Sequence, residues 1–375
     1  MQINVGTNGN GYVEERNLTL LPFTRARITR SYDVCAVLNH VERNWFHSST
    51  ATSMFNTFHC DLGVNRVTLL HLINCISSST TPWVATYSHY LPRWDLRSRY
   101  GVSLLSSKHC RKLIAISKFA QNYEEYVIDR YPAYKADIHR KMCVLHPAQA
   151  ALIGEFADKP LDPDVIVCTI VGTDFFRKGG KEVLRALDRL RAENMPVRLN
   201  IVSTLEHGDY ASKSTQEDVR VAKQLIARLG SAVRHYETLP NAAVLDLLRQ
   251  SHVGLLPTYD DIYGYSVLEA QAAGCPVIST DICALPEINN EQIGWLIEVP
   301  KSPFGIALRK TEQQRRILSS KIEEGLYSIL RDICLNPVLA REKGLRALQR
   351  INEQCRPETR SRVLEHIYLE ALSAW

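Results

Sequence analysis

The sequence lacks several features that would assign it to a particular class of protein. No apolar run approaches the roughly 20 residues of a membrane-spanning helix, and the longest candidate, Val67–Ile76, is interrupted by His71 and Asn74. The ten cysteines are scattered singly, without a C-x-x-C pair or a Cys/His group at zinc spacing. These absences argue against a membrane-spanning, disulfide-framework or zinc protein, and they favour free thiols in a reducing cytosol.

Strong charge and the common nucleotide-binding loops are also missing. The net charge of +5 is too mild to argue for nucleic acid as a partner. No Walker-type phosphate loop and no good G-x-G-x-x-G loop occurs, which argues against a P-loop enzyme or a dinucleotide dehydrogenase. No His/Asp/Ser arrangement points to hydrolysis. Met1–Val5 is predicted to form a first strand and not part of a leader segment.

What is present is the composition of a folded protein with two domains. The chain has 375 residues, of which 45% are hydrophobic and 23% charged, and this length suits two cores of ordinary size. Apolar runs bounded by turn residues alternate with helical periodicity, which is typical of α/β layers on parallel sheets. We therefore predict two doubly wound, Rossmann-like domains that face each other across a cleft, because such sheets bind ligands at the carboxyl ends of their strands.

The link between the two domains is predicted at His146–Gln149. The first domain would then span residues 1–149 and the second residues 150–354, and an amphipathic helix at Glu358–Ala374 would end the chain. Residues 1–150 carry a net charge of +7 and residues 151–375 one of −2, so the first half is the basic one.

The periodicity predicts individual elements in both halves. In the first half we predict helix Ser117–Arg130, with Ser117 as its N-cap, and strands Ile3–Gly6, Tyr32–Leu38, Val67–Leu72, Trp83–Tyr87, Leu113–Ile116 and Met142–Leu145. In the second half we predict strands Val165–Val171, Val197–Ser203, Arg234–Tyr236, Val253–Pro257 and Pro276–Ser279. The predicted helices of that half are Lys181–Asn194, Gln216–Leu229, Asn241–Ser251 and Ser266–Ala273, and residues 312–354 are predicted to be helical as well.

The most informative segment is residues 257–279, a predicted strand, polar loop, helix and strand. Asp261 lies in the loop and Glu269 on the helix, with seven residues between them. Gly264 would let a ligand approach the backbone, and the amides at the start of the helix would favour an anion such as a diphosphate. A carboxylate there could accept hydrogen bonds from sugar hydroxyls. Ser266 and Glu269 also have the spacing of a capping box without any ligand, and spacing leaves both interpretations open.

A second segment, Val171–Lys181, joins a predicted strand to a predicted helix. Arg177 and Lys178 stand before two glycines at the carboxyl end of the strand. The two cations could neutralise a diphosphate, Arg through fork-shaped contacts and Lys as a point charge. A solvated basic turn is the alternative interpretation.

These segments resemble the donor site of retaining glycosyltransferases of family four, which are group 1 glycosyltransferases with the GT-B fold. The family pattern is a Glu, seven residues, a second Glu followed by Ala, and then Gly-x-Pro-Val-Ile. Asp261, Glu269 and Gly274–Ile278 fill it, with Asp261 one methylene shorter than the usual Glu. The resemblance extends from about residue 110 to residue 300 and includes Leu113–Ser117, Val144–Pro147, Tyr236–Pro240 and Leu285–Ile288.

The resemblance implies a role for each matching residue. Glu269 would bind the ribose of the nucleotide, Asp261 the donor sugar, and Arg177 with Lys178 the diphosphate. Arg177 would replace the arginine that the family more often has where this chain has Thr173. The family's base-recognition loop falls at Tyr236–Pro240, and Glu287 is expected to start a helix and not to bind a ligand. The further donor-binding residues are Gly172, Leu239, Gly264, Tyr265, Ser266, Val267 and Gly11.

The resemblance is weaker in the first domain. Gly6–Gly11 follows the first strand, where the family has a glycine loop, although a turn without function fits equally well. Family members usually end a strand in Thr-x-His, whereas here Ser88 is aligned with that His and His89 follows it. A shift of one residue turns a strand side chain to the opposite face, so His89 becomes a catalytic residue only if a loop begins there. As in the family fold, the last helix is expected to cross back to the first domain.

The resemblance therefore predicts a retaining glycosyltransferase that moves a sugar from a nucleotide-diphosphate-sugar to an acceptor hydroxyl, in bacterial surface polysaccharide or glycolipid assembly. It implies a carbohydrate or lipid-linked acceptor, no metal or other cofactor, and a cytoplasmic location. Basic residues of the first domain are either solvated or in contact with an anionic membrane, which would place the protein at the inner face of that membrane: Arg93, Arg97, Arg99, Lys108, Arg111 and Lys112.

Other functions remain open at this point. A nucleotide-sugar epimerase shares the two-domain fold, and a non-catalytic nucleotide-sugar-binding partner would retain the site without turnover. The departures at Asp261, Thr173 and Ser88 keep the second of these alternatives open. A sugar phosphorylase is less favoured, because nothing marks a cofactor lysine or a second phosphate site.

Overall fold

A computed structural model describes residues 2–9, 11–45, 57–93, 99–162 and 164–373. The chain divides into two compact units, one formed by Met1–Ala148 with Cys355–Trp375 and the other by Gln149–Gln354. The division after Ala148 lies within the predicted link. All ten cysteines are free thiols.

The first unit is built on a six-stranded parallel sheet in the order β2-β1-β4-β6-β7-β8, with β3 and β5 forming a separate parallel pair. Its strands are β1 (Ile3–Thr7), β2 (Ala26–Arg30), β3 (Phe58–His59), β4 (Leu69–Ile73), β5 (Ile76–Ser77), β6 (Trp83–Tyr87), β7 (Cys110–Ala115) and β8 (Met142–Val144). Its helices are α1 (Gly11–Glu14), α2 (Val34–Trp45), α3 (Arg99–Ser106), α4 (Lys118–Ile128), α5 (Pro132–Lys141) and, from the end of the chain, α13 (Pro357–Ser373). A π-helical turn, Glu15–Thr19, follows α1.

The core of this unit lies on both faces of the sheet. Every residue of β4 and β6 is buried, as expected for central strands covered on both sides. The His71 ring, on β4, shares hydrogen bonds with Tyr368 Oη (2.6 Å) and Thr86 Oγ1 (2.7 Å). Burial lowers the pKa of His71 to about 3, so the ring is neutral at physiological pH. Tyr368 lies on α13, which therefore packs on the first unit.

The second unit is also built on a six-stranded parallel sheet, in the order β11-β10-β9-β12-β13-β14. Its strands are β9 (Ile166–Val171), β10 (Val197–Val202), β11 (Val233–Tyr236), β12 (Val253–Leu256), β13 (Val277–Thr280) and β14 (Trp295–Ile297). Its helices are α6 (Gly180–Ala192), α7 (Gln216–Leu229), α8 (Asn241–Arg249), α9 (Tyr265–Ala272), α10 (Leu285–Ile288), α11 (Glu312–Leu335) and α12 (Val338–Gln354), with short 3-10 turns at Phe156–Asp158 and Gly230–Ala232. The strand order reverses between β9 and β12, and such a switch point is where doubly wound sheets bind ligands.

One predicted strand is wrong. Tyr32–Leu38 does not form a strand, because Val34 begins α2. Asp33 lies just before that helix, and its Oδ1 accepts hydrogen bonds from the backbone N–H groups of Cys35 (3.0 Å) and Cys60 (3.1 Å). A short apolar run does not by itself distinguish a strand from the first turns of a helix.

Several observed elements have no counterpart in the sequence prediction, and three of them are β2, α5 and β14. β2 is an edge strand with two arginines, β14 has only three residues, and α5 is mostly polar. None of them has the clear apolar alternation or stripe on which such predictions depend.

Candidate functional site

The candidate site lies at the switch point of the second sheet. β9 and β12 are neighbours, with Cys168 paired to Val253 and Ile170 paired to Leu255. Because the two strands are parallel, the loops that follow them, residues 172–179 and 257–264, leave the same edge of the sheet. These are the loops that carry the predicted cations and the predicted acid Asp261.

Hydrogen bonds join the two loops directly. The carbonyl oxygen of Arg177 accepts from the backbone N–H of Tyr259 (2.8 Å) and from Oγ1 of Thr258 (3.0 Å). In return, the Arg177 guanidinium donates to the carbonyl oxygen of Asp260 (2.5 Å). Lys178 Nζ lies 3.3 Å from Asp261 Oδ2. The structure thus brings three of the predicted site residues, Arg177, Lys178 and Asp261, into one cluster.

Two glycines make this approach possible. Gly179 has a φ of +80°, and a Cβ there would lie 2.1 Å from the carbonyl oxygen of Pro257. Gly172 has a φ of +148°, and a Cβ there would lie 2.3 Å from Cδ and Cε of Lys178. Any larger residue would therefore separate the loops at Gly179 or displace the Lys178 side chain at Gly172.

Both carboxylate oxygens of Asp261 have partners. Oδ2 pairs with Lys178, and Oδ1 accepts from the backbone N–H groups of Gly264 (2.8 Å) and Tyr263 (3.3 Å). Bonds from an Asp to amides two and three residues later are typical of an Asx turn. Asp261 therefore fixes the loop that leads into α9 as well as the position of Lys178.

The cations of this cluster are each paired with an aspartate. Arg177 Nε donates to Asp174 Oδ2 at 2.8 Å, and Arg309 lies 2.8 Å from Asp260 Oδ2. Tyr210 also donates its hydroxyl to the Asp260 carboxylate. Positive and negative charge are therefore balanced across the described part of the cluster, and an anionic ligand would have to compete with these carboxylates.

Helix α9 carries Glu269, the residue that is predicted to bind the ribose. The N-cap is Gly264 in a left-handed conformation (φ +85°), without a side-chain capping bond. The capping box of Ser266 and Glu269 is therefore wrong, because Ser266 lies inside the helix and Glu269 falls in its second turn. The Glu269 side chain is buried, at 7% exposure. Tyr265 and Ser266 are half-buried and Val267 is buried.

Leu239 and Glu287 lie near the ends of other strands of the same sheet. Leu239 is half-buried in the loop between β11 and α8. Because β11 is parallel to its neighbour, this loop leaves the same edge of the sheet as the two loops above. Glu287 lies in the first turn of α10, as expected for a helix-start residue.

Two of the predicted site residues, His89 and Gly11, lie in the first unit. β6 ends at Tyr87, so a loop begins at Ser88, which is the condition under which His89 becomes a catalytic candidate. The His89 ring stacks on Tyr123, with 4.2 Å between ring centroids. Gly11 is exposed at the start of α1, with a φ of +51°, and a Cβ there would meet nothing within 4 Å. These two assignments stay predictions.

The basic residues of the first unit differ in exposure. Arg93, Arg99 and Lys108 are exposed, and Arg111 and Lys112 are half-buried. Lys112 pairs with Glu370 at 3.0 Å. Arg97 lies outside the described residues.

Sequence reasoning missed several residues that support the site. The buried carboxylate of Glu182 accepts hydrogen bonds from Tyr259 Oη (2.8 Å) and Ser319 Oγ (2.6 Å). Asp260, Arg309 and Tyr210 join three loops that are far apart in the chain. Asp260 could have been identified from its place beside Asp261 in the sequence. Nothing in the sequence spacing points to the other residues.

The described residues contain neither a cluster suited to a metal ion nor a helix suited to a membrane. Within the ranges given above, no three or more His, Cys, Asp or Glu side chains come together as a metal site would require. Among the helices described, none is both long and apolar enough to cross a membrane.

Comparison with known proteins shows what the segment that carries this site is similar to. Residues 155–312 match the family described as glycosyl transferases group 1. This stretch contains β9 to α10, and with them Arg177, Lys178, Asp261 and Glu269. Over this segment, the resemblance to group 1 glycosyltransferases that the sequence predicts is confirmed.

Individual relatives agree with the family match. The chain is 26% identical over 202 residues to a glycogen synthase of Mycobacterium tuberculosis, covering 54% of this chain and 42% of the relative. It is 30% identical over 241 residues to a D-inositol 3-phosphate glycosyltransferase of Rhodococcus erythropolis, covering 55% and 53%. The chain thus spans about half the length of these relatives.

Solved structures establish the fold. HepE of Anabaena in complex with UDP superposes with a TM-score of 0.57 at 11% identity, over 98% of this chain and all of that one. At such low identity the likeness concerns the fold. The chain has the GT-B fold with its two Rossmann-like domains, as the sequence predicts.

Proposed function

We propose that the protein is a retaining glycosyltransferase that moves a sugar from a nucleotide-diphosphate-sugar to an acceptor hydroxyl. One observation carries the proposal: Arg177, Lys178 and Asp261 meet at the switch point of a sheet, in a segment that matches the group 1 glycosyltransferases. Cations at this place favour a diphosphate, and a nearby carboxylate favours sugar hydroxyls. A related fold, that of HepE, carries UDP, which supports a nucleotide donor.

In this proposal the second unit binds the whole donor. Glu269 binds the ribose, Leu239 and its loop lie at the base, and Arg177 with Lys178 hold the diphosphate. The start of α9, at Tyr265 and Ser266, faces the phosphates, because the positive end of a helix dipole favours an anion. The Val267 N–H already donates to the carbonyl oxygen of Gly264. Gly172 leaves room for the Lys178 side chain, because a Cβ there would lie 2.3 Å from Lys178 Cδ and Cε.

The chemistry follows from the charges. Asp261, which the Gly264 N–H holds in place through Oδ1, positions the sugar, which becomes oxocarbenium-like as its bond to the diphosphate breaks. Arg177 and Lys178 stabilise the negative charge that develops on the departing diphosphate, and this is the main catalytic contribution. Retention of configuration rests on the family resemblance. No metal ion is required, since the two cations supply the charge that a metal would.

The first unit contributes the acceptor side in this proposal. The proposed roles of its residues, which follow from the family resemblance, are catalysis for His89 and donor binding for Gly11. The acceptor is a carbohydrate or lipid-linked molecule of bacterial surface polysaccharide or glycolipid assembly, and the protein works in the cytoplasm. The exposed cations Arg93, Arg99 and Lys108 contact anionic lipid, since each such residue contributes about 1 kcal/mol near a charged membrane. Retention on liposomes only when they contain anionic lipid would support this contact, and equal flotation with neutral liposomes would contradict it.

The first experiment is calorimetric titration with UDP, GDP and ADP. We expect tight binding of one nucleotide to the unaltered protein and a loss of roughly tenfold or more in Glu269→Ala, because a charge-assisted hydrogen bond contributes about 1.5–3 kcal/mol. Glu287→Ala, which changes a glutamate of the next helix outside the proposed site, should bind as the unaltered protein does. Failure to bind any of the three nucleotides would contradict the proposal.

Turnover separates the transferase from its alternatives. With the sugar donor of the preferred base and an acceptor, a transferase yields a glycoside and the free nucleoside diphosphate. An epimerase would instead change the sugar without an acceptor, and a non-catalytic partner would bind the nucleotide without forming product. Analysis of both products by mass spectrometry and chromatography distinguishes the three.

A further inference from the structure

We infer that Asp261 is the counter-ion that holds Lys178 while the donor site is empty, and that a donor diphosphate takes Lys178 away from it. Asp261 would thereby weaken the binding of the nucleoside diphosphate and speed its release after transfer. The inference rests on the proposed function, because it concerns the same diphosphate site.

The pair is placed where such an exchange matters. Lys178 Nζ and Asp261 Oδ2 are 3.3 Å apart, and their side chains are 13% and 19% exposed. Solvent therefore screens this pair less than an exposed one, and separating it has a real energetic cost. A ligand that draws Lys178 away must offset that cost, so the pair lowers the affinity for the ligand.

Asp261 can lose Lys178 without losing its other role. Its Oδ1 accepts from the backbone of Gly264 and Tyr263, and these bonds lie within its own loop. They persist when the ammonium moves, because they involve the other carboxylate oxygen. The loop geometry before α9 is thus independent of the ion pair.

Lys178 is better suited to exchange than Arg177. The Arg177 guanidinium is held by the Asp174 carboxylate and by the carbonyl oxygen of Asp260, which fixes its planar fork. Lys178 instead has a compact ammonium on a flexible stem, and the stem lies against Gly172, where no side chain obstructs it. A diphosphate offers the ammonium more negative charge than a single carboxylate does.

The test is the affinity for free UDP, GDP or ADP, whichever the unaltered protein binds. Asp261→Asn keeps an oxygen for the Gly264 amide but removes the charge. We expect this variant to bind the nucleotide roughly three- to tenfold more tightly, a gain that corresponds to one partly exposed ion pair. In a Lys178→Met background the same substitution should give no gain.

A matched control is available close by. Lys181 and Asp218 form a pair at 2.8 Å with side chains 23% and 24% exposed, and Asp218→Asn removes its charge without touching the loops of the site. This variant should bind the nucleotide as the unaltered protein does. If Asp261→Asn fails to fold, Asp261→Ser replaces it, since a hydroxyl can also accept from the loop amide.

Each outcome decides the matter. If the Asp261 variant binds the nucleotide as tightly as the unaltered protein or less tightly, the inference is wrong and the proposed function stands. The inference is also wrong if Asp261→Asn raises the affinity as much in the Lys178→Met background, or if Asp218→Asn raises it as much. If neither the unaltered protein nor the variant binds any nucleotide, the proposed function fails and this inference fails with it.

Discussion

Both units contain a six-stranded parallel sheet, but they differ in how their predicted site residues are connected. In the second unit, two loops at the switch point are joined by hydrogen bonds and ion pairs through Arg177, Lys178 and Asp261. In the first unit, the ring of His89 stacks within an aromatic cluster and Gly11 stands exposed. The proposed contacts with a diphosphate and a ribose require charged groups at fixed positions, and such groups leave a motif in the sequence, whereas a fold alone does not determine the residues of a site.

The largest expected effect contrasts one glycine from each unit. Gly179→Ala would force a Cβ to within 2.1 Å of the Pro257 carbonyl oxygen at a φ of +80°, so the second unit should lose at least about 3 kcal/mol of its free energy of unfolding. Gly11→Ala meets nothing within 4 Å and should cost the first unit only about 1–2 kcal/mol, the usual penalty of a left-handed residue. Amide hydrogen exchange, measured unit by unit, provides both values.

Equal losses at the two glycines would break the comparison, because they would show that the loops of both units are constrained to the same degree. A small loss at Gly179 would mean that the loops of residues 172–179 and 257–264 can move apart without consequence for the second unit.

The second prediction separates the two units by nucleotide affinity. Arg177→Met should weaken binding of the preferred nucleoside diphosphate roughly ten- to a hundredfold, as expected for a lost charge-assisted bond. His89→Ala should change it less than about twofold, while transfer of the sugar falls, since a group that acts only in the reaction leaves nucleotide binding intact. Calorimetry and a transfer assay on the same preparations measure both quantities.

Arg177→Lys is the control for this prediction, because it keeps the charge but loses the fork that reaches Asp174 and Asp260. Its affinity should lie between those of the unaltered protein and Arg177→Met. If the His89 variant loses as much nucleotide affinity as Arg177→Met, His89 belongs to the donor site. The proposal that only the second unit binds the nucleotide is then wrong.

The sequence predicts much of the second unit, because its strands are short apolar runs and its helices are amphipathic. Helix α7 begins and ends at the predicted residues, Gln216 and Leu229. The site residues on contiguous motifs were predicted too. Asp260 and Arg309 were not identified as partners, because they are 49 positions apart in the sequence and only the packing of loops from different strands joins them.

The first unit shows why other elements escape prediction. The segment that begins at Val34 was predicted as a strand, yet Asp33 caps a helix there through the N–H of Cys35. In the sequence alone, the short apolar run of this segment favours a strand, and one possible capping residue is not enough to favour a helix instead. The return of α13 to this unit was expected from the family fold, but the contact that fixes it was not.

That contact gives the smallest of the expected effects. The Glu365 carboxylate on α13 accepts hydrogen bonds from the backbone N–H groups of Thr24 (2.7 Å) and Ala26 (3.1 Å) and from Oγ1 of Thr24 (3.1 Å). Burial alone would raise the pKa of Glu365, but these bonds and one from the Arg25 N–H lower it overall. Glu365→Gln should therefore destabilise the first unit by about 1–2 kcal/mol at neutral pH. Protection of the Thr24 and Ala26 amides from hydrogen exchange measures this loss.

The sign of the pH dependence follows from the lowered pKa of Glu365. The carboxylate contributes fully above the pKa of the unfolded chain, about 4.3 for Glu, and its contribution is lost as the pH falls through the lower folded value. The Gln variant should lack that acid-induced loss. Glu370→Gln is the control, because its pair with Lys112 is 45% exposed at the glutamate and should contribute less than about 1 kcal/mol. If both variants lose stability equally, α13 is held to the first unit by its apolar face, and the buried carboxylate adds nothing specific.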